Sequence, residues 1–178
     1  MGILKKMRAR SAAHPAPVAS QRRVRASAPQ LSCAIASGGY EVKHGEMSEH
    51  EDFITWVNTV LRDAEVAVHN GDASLRRAIW SRNDPVTVLG AWTNANGQAE
   101  LDQLFAHLAD SFSDCTSYEF ELMAAEVVGD VAYTAGFEHT VTSVDGVPRA
   151  YTVRATQIYR REQGQWKVAH RHGSAPPD

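Results

Sequence analysis

The sequence predicts an α+β domain in which helices come first and a curved, antiparallel sheet follows. Two observations lead to this fold class. Apolar residues recur at helical spacing over residues 48–68 and again over 98–112, whereas over 118–172 the spacing changes to two. Three turns that contain glycine divide this last stretch into four strands. A chain of 178 residues with 22% charged residues is typical of one globular domain.

The first helix is predicted to begin at Ser48, because Ser48 and Glu51 form the pattern of a capping box. Asn70-Gly71 ends it, since both residues tolerate a left-handed backbone. A shorter helix over 73–80 follows, and the Asp84-Pro85 pair breaks the helical pattern after it.

The clearest helical pattern lies near the middle of the chain. Leu101, Leu104, Phe105 and Leu108 recur at the spacing of one helix face. The remaining predicted elements are a short strand over 86–92, a loop over 93–97, a helix over 98–110 and strands over 118–128, 131–143, 150–161 and 165–172.

Three turns set the predicted register of the sheet. Gly129-Asp130 suits a two-residue hairpin turn, and Asp145-Gly146 suits a type I′ turn. The segment Glu162-Gln163-Gly164 suits a three-residue loop with glycine in the left-handed position. The register therefore pairs Arg161 with Gln165 in the last hairpin.

This register gives the sheet one mostly apolar face, which we predict to be the inner one. It pairs Leu122 with Phe137, Phe137 with Arg154, and Arg154 with His172. Ionisable side chains on an apolar face cost free energy unless they are paired or hydrated, and a cluster of them is typical of a ligand pocket. The sequence thus predicts a pocket that contains His139, Arg154 and His172.

Charge is unevenly distributed along the chain. Residues 1–40 carry seven Lys and Arg and no acid, whereas residues 41–178 carry eleven Lys and Arg and 21 acids. An acidic domain argues against binding of nucleic acid, which needs clustered basic residues. No apolar run approaches the ~18 residues of a membrane-spanning helix, so we expect no membrane partner.

The same distribution suggests the domain boundaries. We expect 1–46 to be a disordered basic leader, 47–174 the folded domain and 175–178 a flexible tail. The leader is expected to be dispensable, and a transit peptide or a basic arm that contacts anionic partners is the alternative. Two cysteines without metal-site spacing favour a reducing, cytoplasmic setting.

The last strands contain several short motifs. They are Arg154-x-Thr156, Tyr159-Arg160-Arg161, Gly164-x-Trp166-Lys167-Val168 and His170-x-His172-Gly173, and residues 84–92 add a possible first strand. Helices followed by these motifs, over residues 49–173, resemble the nuclear transport factor 2-like superfamily in its SnoaL-like, ketosteroid-isomerase-like branch. The resemblance implies a cone-shaped fold, with the N-terminal helices on the concave face of a strongly bent sheet. It also implies a cavity open at one end and a homodimer.

Members of such families include isomerases, dehydratases, epoxide hydrolases, polyketide cyclases and non-catalytic proteins. His172 and His139 are candidate general acids and bases, because an unperturbed imidazole titrates near pH 6.5. Asp84 is a candidate catalytic carboxylate, and Arg154 is a candidate clamp for an anionic group of the substrate. The alternatives are pocket-lining or core histidines held by a hydroxyl group or a backbone carbonyl, and a buried salt bridge between Arg154 and Asp84. Asp84 is alternatively a turn residue only.

Further side chains are candidates for contact with a planar substrate. Arg154 between the histidines would repel a cation, so we predict no metal, and we predict no cofactor. The other predicted substrate-binding residues are Trp80, Trp92, Phe105, Phe120, Phe137, Thr152 and His170.

These candidates predict a domain that binds a small hydrophobic molecule in a pocket with His and Arg. The chemistry they favour is acid–base catalysis without a cofactor, of the isomerase, dehydratase or hydrolase type, on a hydrophobic carbonyl or hydroxyl compound. A non-catalytic ligand-binding or dimerisation module is the alternative.

Overall fold

The protein is represented by a computed structural model, which describes residues 48–177. The predictions for the leader lie outside the described residues. Within residues 48–177, four α-helices, one π-helical turn and six strands form an α+β cone, and the predicted fold class is confirmed. Among the residues that the structure describes, no helix is long and apolar enough to cross a membrane.

The first helix begins with the predicted capping box. The Ser48 hydroxyl accepts a hydrogen bond from the Glu51 amide at 3.2 Å, and the Glu51 carboxylate accepts one from the Ser48 amide at 2.8 Å. An apolar stripe that includes Phe53 and Leu61 buries this helical region against the sheet. The helical elements are α1 (Glu49–Trp56), a π-helical turn (Val57–Leu61), α2 (Arg62–Val68), α3 (Ser74–Ile79) and α4 (Gln98–Ser111).

The six strands form one curved sheet. Its order is β2-β1-β6-β5-β4-β3, with β1 parallel to β6 and every other neighbouring pair antiparallel. Residues 93–97, predicted as a loop, contain β2, because the Gly90 amide donates to the Thr93 carbonyl and folds the chain back on β1. The strands are β1 (Thr87–Leu89), β2 (Asn94–Asn96), β3 (Phe112–Val128), β4 (Val131–Val144), β5 (Val147–Glu162) and β6 (Gln165–Ser174).

Two of the three predicted turns are confirmed. The first pairs Val128 with Val131. In the second, Asp145 and Gly146 have φ of 50° and 73°, as a type I′ turn requires. Between β4 and β5 the register is therefore as predicted over its whole length.

The predicted register between β3 and β4 fails at a bulge on β3. Leu122 pairs with Gly136 and Ala124 with Ala135, so Met123 is the extra residue. Gly136 permits this close approach, because a Cβ there would lie 2.2 Å from the Glu121 carbonyl oxygen. From Leu122 back to Tyr118, each β3 side chain therefore lies on the opposite face of the sheet from the β4 side chain that the predicted register pairs with it.

The third predicted turn is wrong by one residue. Only Gln163 and Gly164 form the turn, with φ of 52° and 76°, and Glu162 pairs with Gln165. The three-residue loop would have paired Arg161 with Gln165 instead. A shift of one residue reverses which face a side chain occupies, so β5 is inverted relative to β6.

As a result, the prediction of the inner face is wrong for β4 and β5. The helices cover the face that carries Thr134, Glu138 and Gln157, all buried. Phe137 and Arg154 lie on the opposite, outer face. The predicted pairing of β4 with β5 is correct. The register of this pair is wrong by one residue against the first part of β3 on one side and against the first part of β6 on the other, so both strands were predicted to face the wrong way.

A second bulge reorients the end of β6. Ile158 pairs with His170 and Tyr159 with Val168, which leaves Ala169 as the extra residue. Trp166 and Val168 are on the inner face as predicted, but after the bulge it is Arg171 that points inward. His170 and His172 therefore lie on the outer face.

Candidate functional site

A cavity of about 100 Å³ lies between the helices and the inner face of the sheet. Its walls are mostly apolar, and its buried end carries charged side chains. The rim is partly exposed and comes from the segment between β1 and β2 and from α4. Lining residues used below are Glu65, His69, Arg76, Trp92, Glu138, Tyr151 and Arg171.

Glu65 of α2 and Arg76 of α3 form a buried ion pair at this end of the cavity. Both side chains are almost completely buried. Burial alone would raise the pKa of Glu65, but the charges of Arg76 and Arg171 outweigh it and lower the pKa. Glu65 is therefore held as a carboxylate.

Glu138 of β4 and Arg171 of β6 form a second buried ion pair across the sheet, at 2.6 Å. The Gln157 amide lies 3.4 Å from the other carboxylate oxygen of Glu138. Burial raises the pKa of Glu138, and the nearby Glu65 carboxylate adds to this, while Arg171 opposes it. The pKa values of the two carboxyl groups, Glu65 and Glu138, are thus shifted in opposite directions.

His69 has a fixed tautomer beside the cavity. Its Nδ1 lies 2.7 Å from the backbone carbonyl oxygen of Glu65, which can only accept, so Nδ1 carries the proton. Nε2 then accepts from the Tyr151 hydroxyl at 2.8 Å. Burial lowers the pKa of His69, although the Glu65 charge opposes this. A neutral His69 with both nitrogens engaged positions Glu65 and Tyr151.

Several buried polar atoms at the site have no hydrogen-bond partner within residues 48–177. Three belong to lining residues and are Glu65 Oε1, Arg76 Nε and Arg171 Nη1. The Tyr118 hydroxyl and Gln157 Oε1 are also unpartnered, but these two residues do not line the cavity. The Tyr118 ring lies 6.0 Å from that of His69, next to the same charges. Buried polar groups in folded proteins are normally paired with protein atoms, water or ligand. These atoms are therefore the unsatisfied hydrogen-bonding groups of the site.

The family model of the SnoaL-like domain matches residues 57–178. This chain belongs to the SnoaL-like domain family. The match spans both bulged strands and every charged residue of the cavity, and it confirms the resemblance noted in the sequence. No curated protein has a matching sequence.

Solved structures support the same fold for this SnoaL-like domain. A candidate dehydratase of the NTF2-like family from Streptomyces avermitilis is 20% identical, with a TM-score of 0.57 over 71% of this chain and 96% of that one. An NTF2-like superfamily protein from Salmonella enterica is 16% identical, with a TM-score of 0.59 over 71% and 91%. The CaMKII hub of S. rosetta is 17% identical, with a TM-score of 0.56 over 74% and 100%. Identities this low show the fold alone.

Of the aromatic residues predicted to contact a substrate, Trp92 lines the cavity, with its ring 5.9 Å from that of Tyr151. Trp80 and Phe105 instead pack edge to face in the core at 5.4 Å, and neither lines the cavity. Phe120 is half-buried and packs against the core. The inner end of this cavity is thus charged rather than aromatic.

The predicted cluster of His139, Thr152, Phe137 and Arg154 lies on the outer face of the sheet. His139 contacts the Thr152 hydroxyl at 3.0 Å and the Glu121 carboxylate at 3.1 Å. Phe137 stacks on His139 at 6.4 Å. The prediction that these side chains share the inner pocket is wrong, because the β3 bulge and the shorter third turn invert β4 and β5.

The remaining predicted site residues also lie away from the cavity. His170 contacts the Thr87 hydroxyl at 2.7 Å, and His172 is exposed. Asp84 and Arg154 are both exposed, and in the described part of the chain no carboxylate lies within ion-pair distance of Arg154. The proposed salt bridge between them is therefore not formed.

One signal in the sequence does point to the actual site. Glu65 lies four residues after Leu61 and three before Val68, on the apolar stripe of the first helical region. A charged residue in such a stripe needs a buried partner. Glu138 and Arg171 give no comparable signal, because their inward orientation depends on the bulges.

Proposed function

We propose that this SnoaL-like domain is an acid–base enzyme without a cofactor that acts on a small hydrophobic carbonyl or hydroxyl compound. The observation that carries the proposal is the pair of buried carboxyl groups, Glu65 and Glu138, each in contact with a guanidinium at one cavity. Two carboxyl groups whose environments displace their pKa values in opposite directions are suited to act as base and acid.

The two carboxyl groups take different roles. Glu65 stays ionised and has a free oxygen, Oε1, so it is the base that removes a proton from the carbon beside a carbonyl. Glu138 in its protonated form donates to the oxygen on which charge develops or to a leaving hydroxyl. Arg171 stabilises that charge.

Histidine does not act as the base in this scheme. The proton on Nδ1 of His69 is held by the Glu65 carbonyl, and the lone pair on Nε2 is held by Tyr151. His69 is therefore a positioning residue. The assignments of His139, His172 and Asp84 as catalytic residues stay predictions that this scheme does not use.

Proton exchange in D₂O tests the proposal. The full-length protein is incubated with cyclohexanone or with 4-hydroxybutan-2-one, and proton NMR follows loss of the protons beside the carbonyl or formation of the enone. We expect faster reaction than in buffer, and a loss of about 10²–10⁴-fold in Glu65→Gln and in Glu138→Gln. The matched control is Glu121→Gln, which changes a carboxylate on the outer face.

Two outcomes would count against catalysis. If these compounds bind, as saturation-transfer NMR would show, but do not exchange, the domain is the non-catalytic ligand-binding module. If they neither bind nor exchange, a dimerisation module remains.

We further propose that a second copy of the chain covers the outer face of the sheet. Tyr133 and Ile158 are cross-strand neighbours there and each is 39% exposed, and Leu89 is 43% exposed. Apolar side chains that are exposed on a sheet face favour association. A cytoplasmic location and the absence of nucleic-acid and membrane partners stay predictions from composition.

Sedimentation velocity of the full-length protein tests this contact. We expect a dimer for the wild type and a folded monomer for Ile158→Lys, because a charge directly opposite its own copy destabilises the interface. Val128→Lys is the control, since Val128 is 68% exposed at the end of a hairpin. A wild-type monomer at micromolar concentration contradicts the proposal.

A further inference from the structure

The unpartnered atoms at the cavity are mainly hydrogen-bond donors. Arg76 Nε and Arg171 Nη1 can only donate. Glu65 Oε1 is the one acceptor among the three unpartnered atoms of lining residues named above. A molecule that satisfies this set presents acceptors to the two guanidinium groups, and a carboxylate supplies two acceptor oxygens that carry the complementary charge.

The charges at the cavity place a condition on such a molecule. Glu65 and Glu138 balance Arg76 and Arg171 when both carboxyl groups are ionised. A bound carboxylate would add a third negative charge to a buried site that has two positive ones. Excess buried charge is costly, and a group that can take up a proton removes it.

Glu138 is the group best placed to take that proton. It faces charged or titratable groups on every element packed against it. Around Glu138 are Tyr118 of β3, Tyr151 and Tyr159 of β5, Arg171 of β6, Glu65 of α2 and Arg76 of α3, and His69 just after α2 lines the same cavity. Of the two carboxyl groups only Glu138 has a raised pKa, whereas Glu65 is held ionised.

We propose that the cavity takes a small carboxylic acid as its monoanion, held by Arg171 and Arg76, and that Glu138 takes up one proton from solvent as the anion binds. No other bond forms or breaks in this step. The inference rests on the proposed function, because it names the substrate class of the same cavity. It also adds a consequence, since binding of the anion places a proton on the group assigned as the acid.

The walls limit the body of the acid. Val88, Leu104 and Val153 are buried apolar lining residues, and the cavity measures about 100 Å³. A cavity of about 150 Å³ is large enough for benzene, so this cavity does not enclose a whole ring. We therefore expect a short apolar body, or a single ring that extends past Trp92 at the open rim.

Titration calorimetry with benzoate and its neutral isostere benzamide tests the inference on the full-length protein. We expect benzoate to bind at least about tenfold more tightly than benzamide, since a charge-assisted contact replaces a neutral one. Titrations in buffers of different ionisation enthalpy should show uptake of about one proton above the pKa of Glu138. Over that pH range Kd should rise about tenfold per pH unit.

Variants test which side chains bind the anion and which one takes up the proton. Glu138→Gln should bind benzoate without proton uptake and without the pH dependence. Arg171→Met should lose the preference for benzoate, or, if it does not fold, Arg171→Lys should weaken that preference while remaining folded. Arg154→Met, on the outer face, should behave as wild type.

Equal binding of benzoate and benzamide, or no binding of benzoate, overturns the inference. Proton uptake that persists in Glu138→Gln would assign the proton to another group, such as His69, and overturns the role of Glu138. Failure here is distinguishable from failure of the proposed function. If the protein exchanges the protons of neutral ketones but does not bind benzoate, only the anionic substrate is refuted. If benzoate binds with proton uptake but no ketone exchanges its protons, only the catalysis is refuted.

Discussion

Arg171→Met is expected to lower the free energy of unfolding by about 3–5 kcal/mol, because it leaves one member of a buried ion pair without its partner. The Glu138 and Arg171 side chains are 4% and 13% exposed and lie 2.6 Å apart. Without the guanidinium, Glu138 must stay charged in a buried site beside Glu65 or take up a proton. Either course makes the folded state less stable.

Urea denaturation of the full-length protein measures the effect. Arg154→Met is the matched control, because it makes the same change on the neighbouring strand at an exposed position, where we expect a change within about 0.5 kcal/mol. The double variant Glu138→Leu with Arg171→Met should recover much of the lost stability, since apolar residues can replace a buried pair. A cost below about 1 kcal/mol for Arg171→Met would show that the pair is not buried as described.

Phe105→Ala is also expected to cost about 3–5 kcal/mol, because the side chain is 1% exposed and lies in the core. Its ring packs against Trp80 at 5.4 Å and lies under the Arg76 guanidinium at 5.5 Å. The truncation therefore removes apolar contacts and loosens a charged residue of the cavity. This result would assign Phe105 to stability instead of substrate contact.

Phe137→Ala provides the comparison for this prediction. Phe137 is half-buried on the outer face, and we expect a cost of about 1 kcal/mol. Urea denaturation should give similar m-values for both variants, so that the midpoints report stability. A cost for Phe105→Ala no larger than that for Phe137→Ala would contradict its place in the core.

Much of the fold could be predicted because it depends on neighbours in the chain. In the capping box, the side chains of Ser48 and Glu51 each accept a hydrogen bond from the backbone amide of the other, only three residues away. The Asp145-Gly146 turn needs only two residues with positive φ. The apolar spacing of α4 likewise requires no distant partner to be recognised.

The candidate site could not be predicted in the same way, because it depends on single-residue changes of register. Met123 and Ala169 are ordinary apolar residues, and nothing adjacent to them marks a bulge. For β4, the assumption that the apolar face is the inner one also failed. The inner face of β4 carries Glu138 and Thr134, whereas the outer face carries Tyr133 and other apolar residues.

The sequence by itself therefore determined the helices, the four long strands, the pairing of β4 with β5 and the family to which the domain belongs. Only the tertiary structure decided which face of β4 and β5 lines the cavity. The physical reason is that a charged side chain can face inward only where a partner from another element meets it. Arg76 of α3 does this for Glu65, and Arg171 of β6 does it for Glu138.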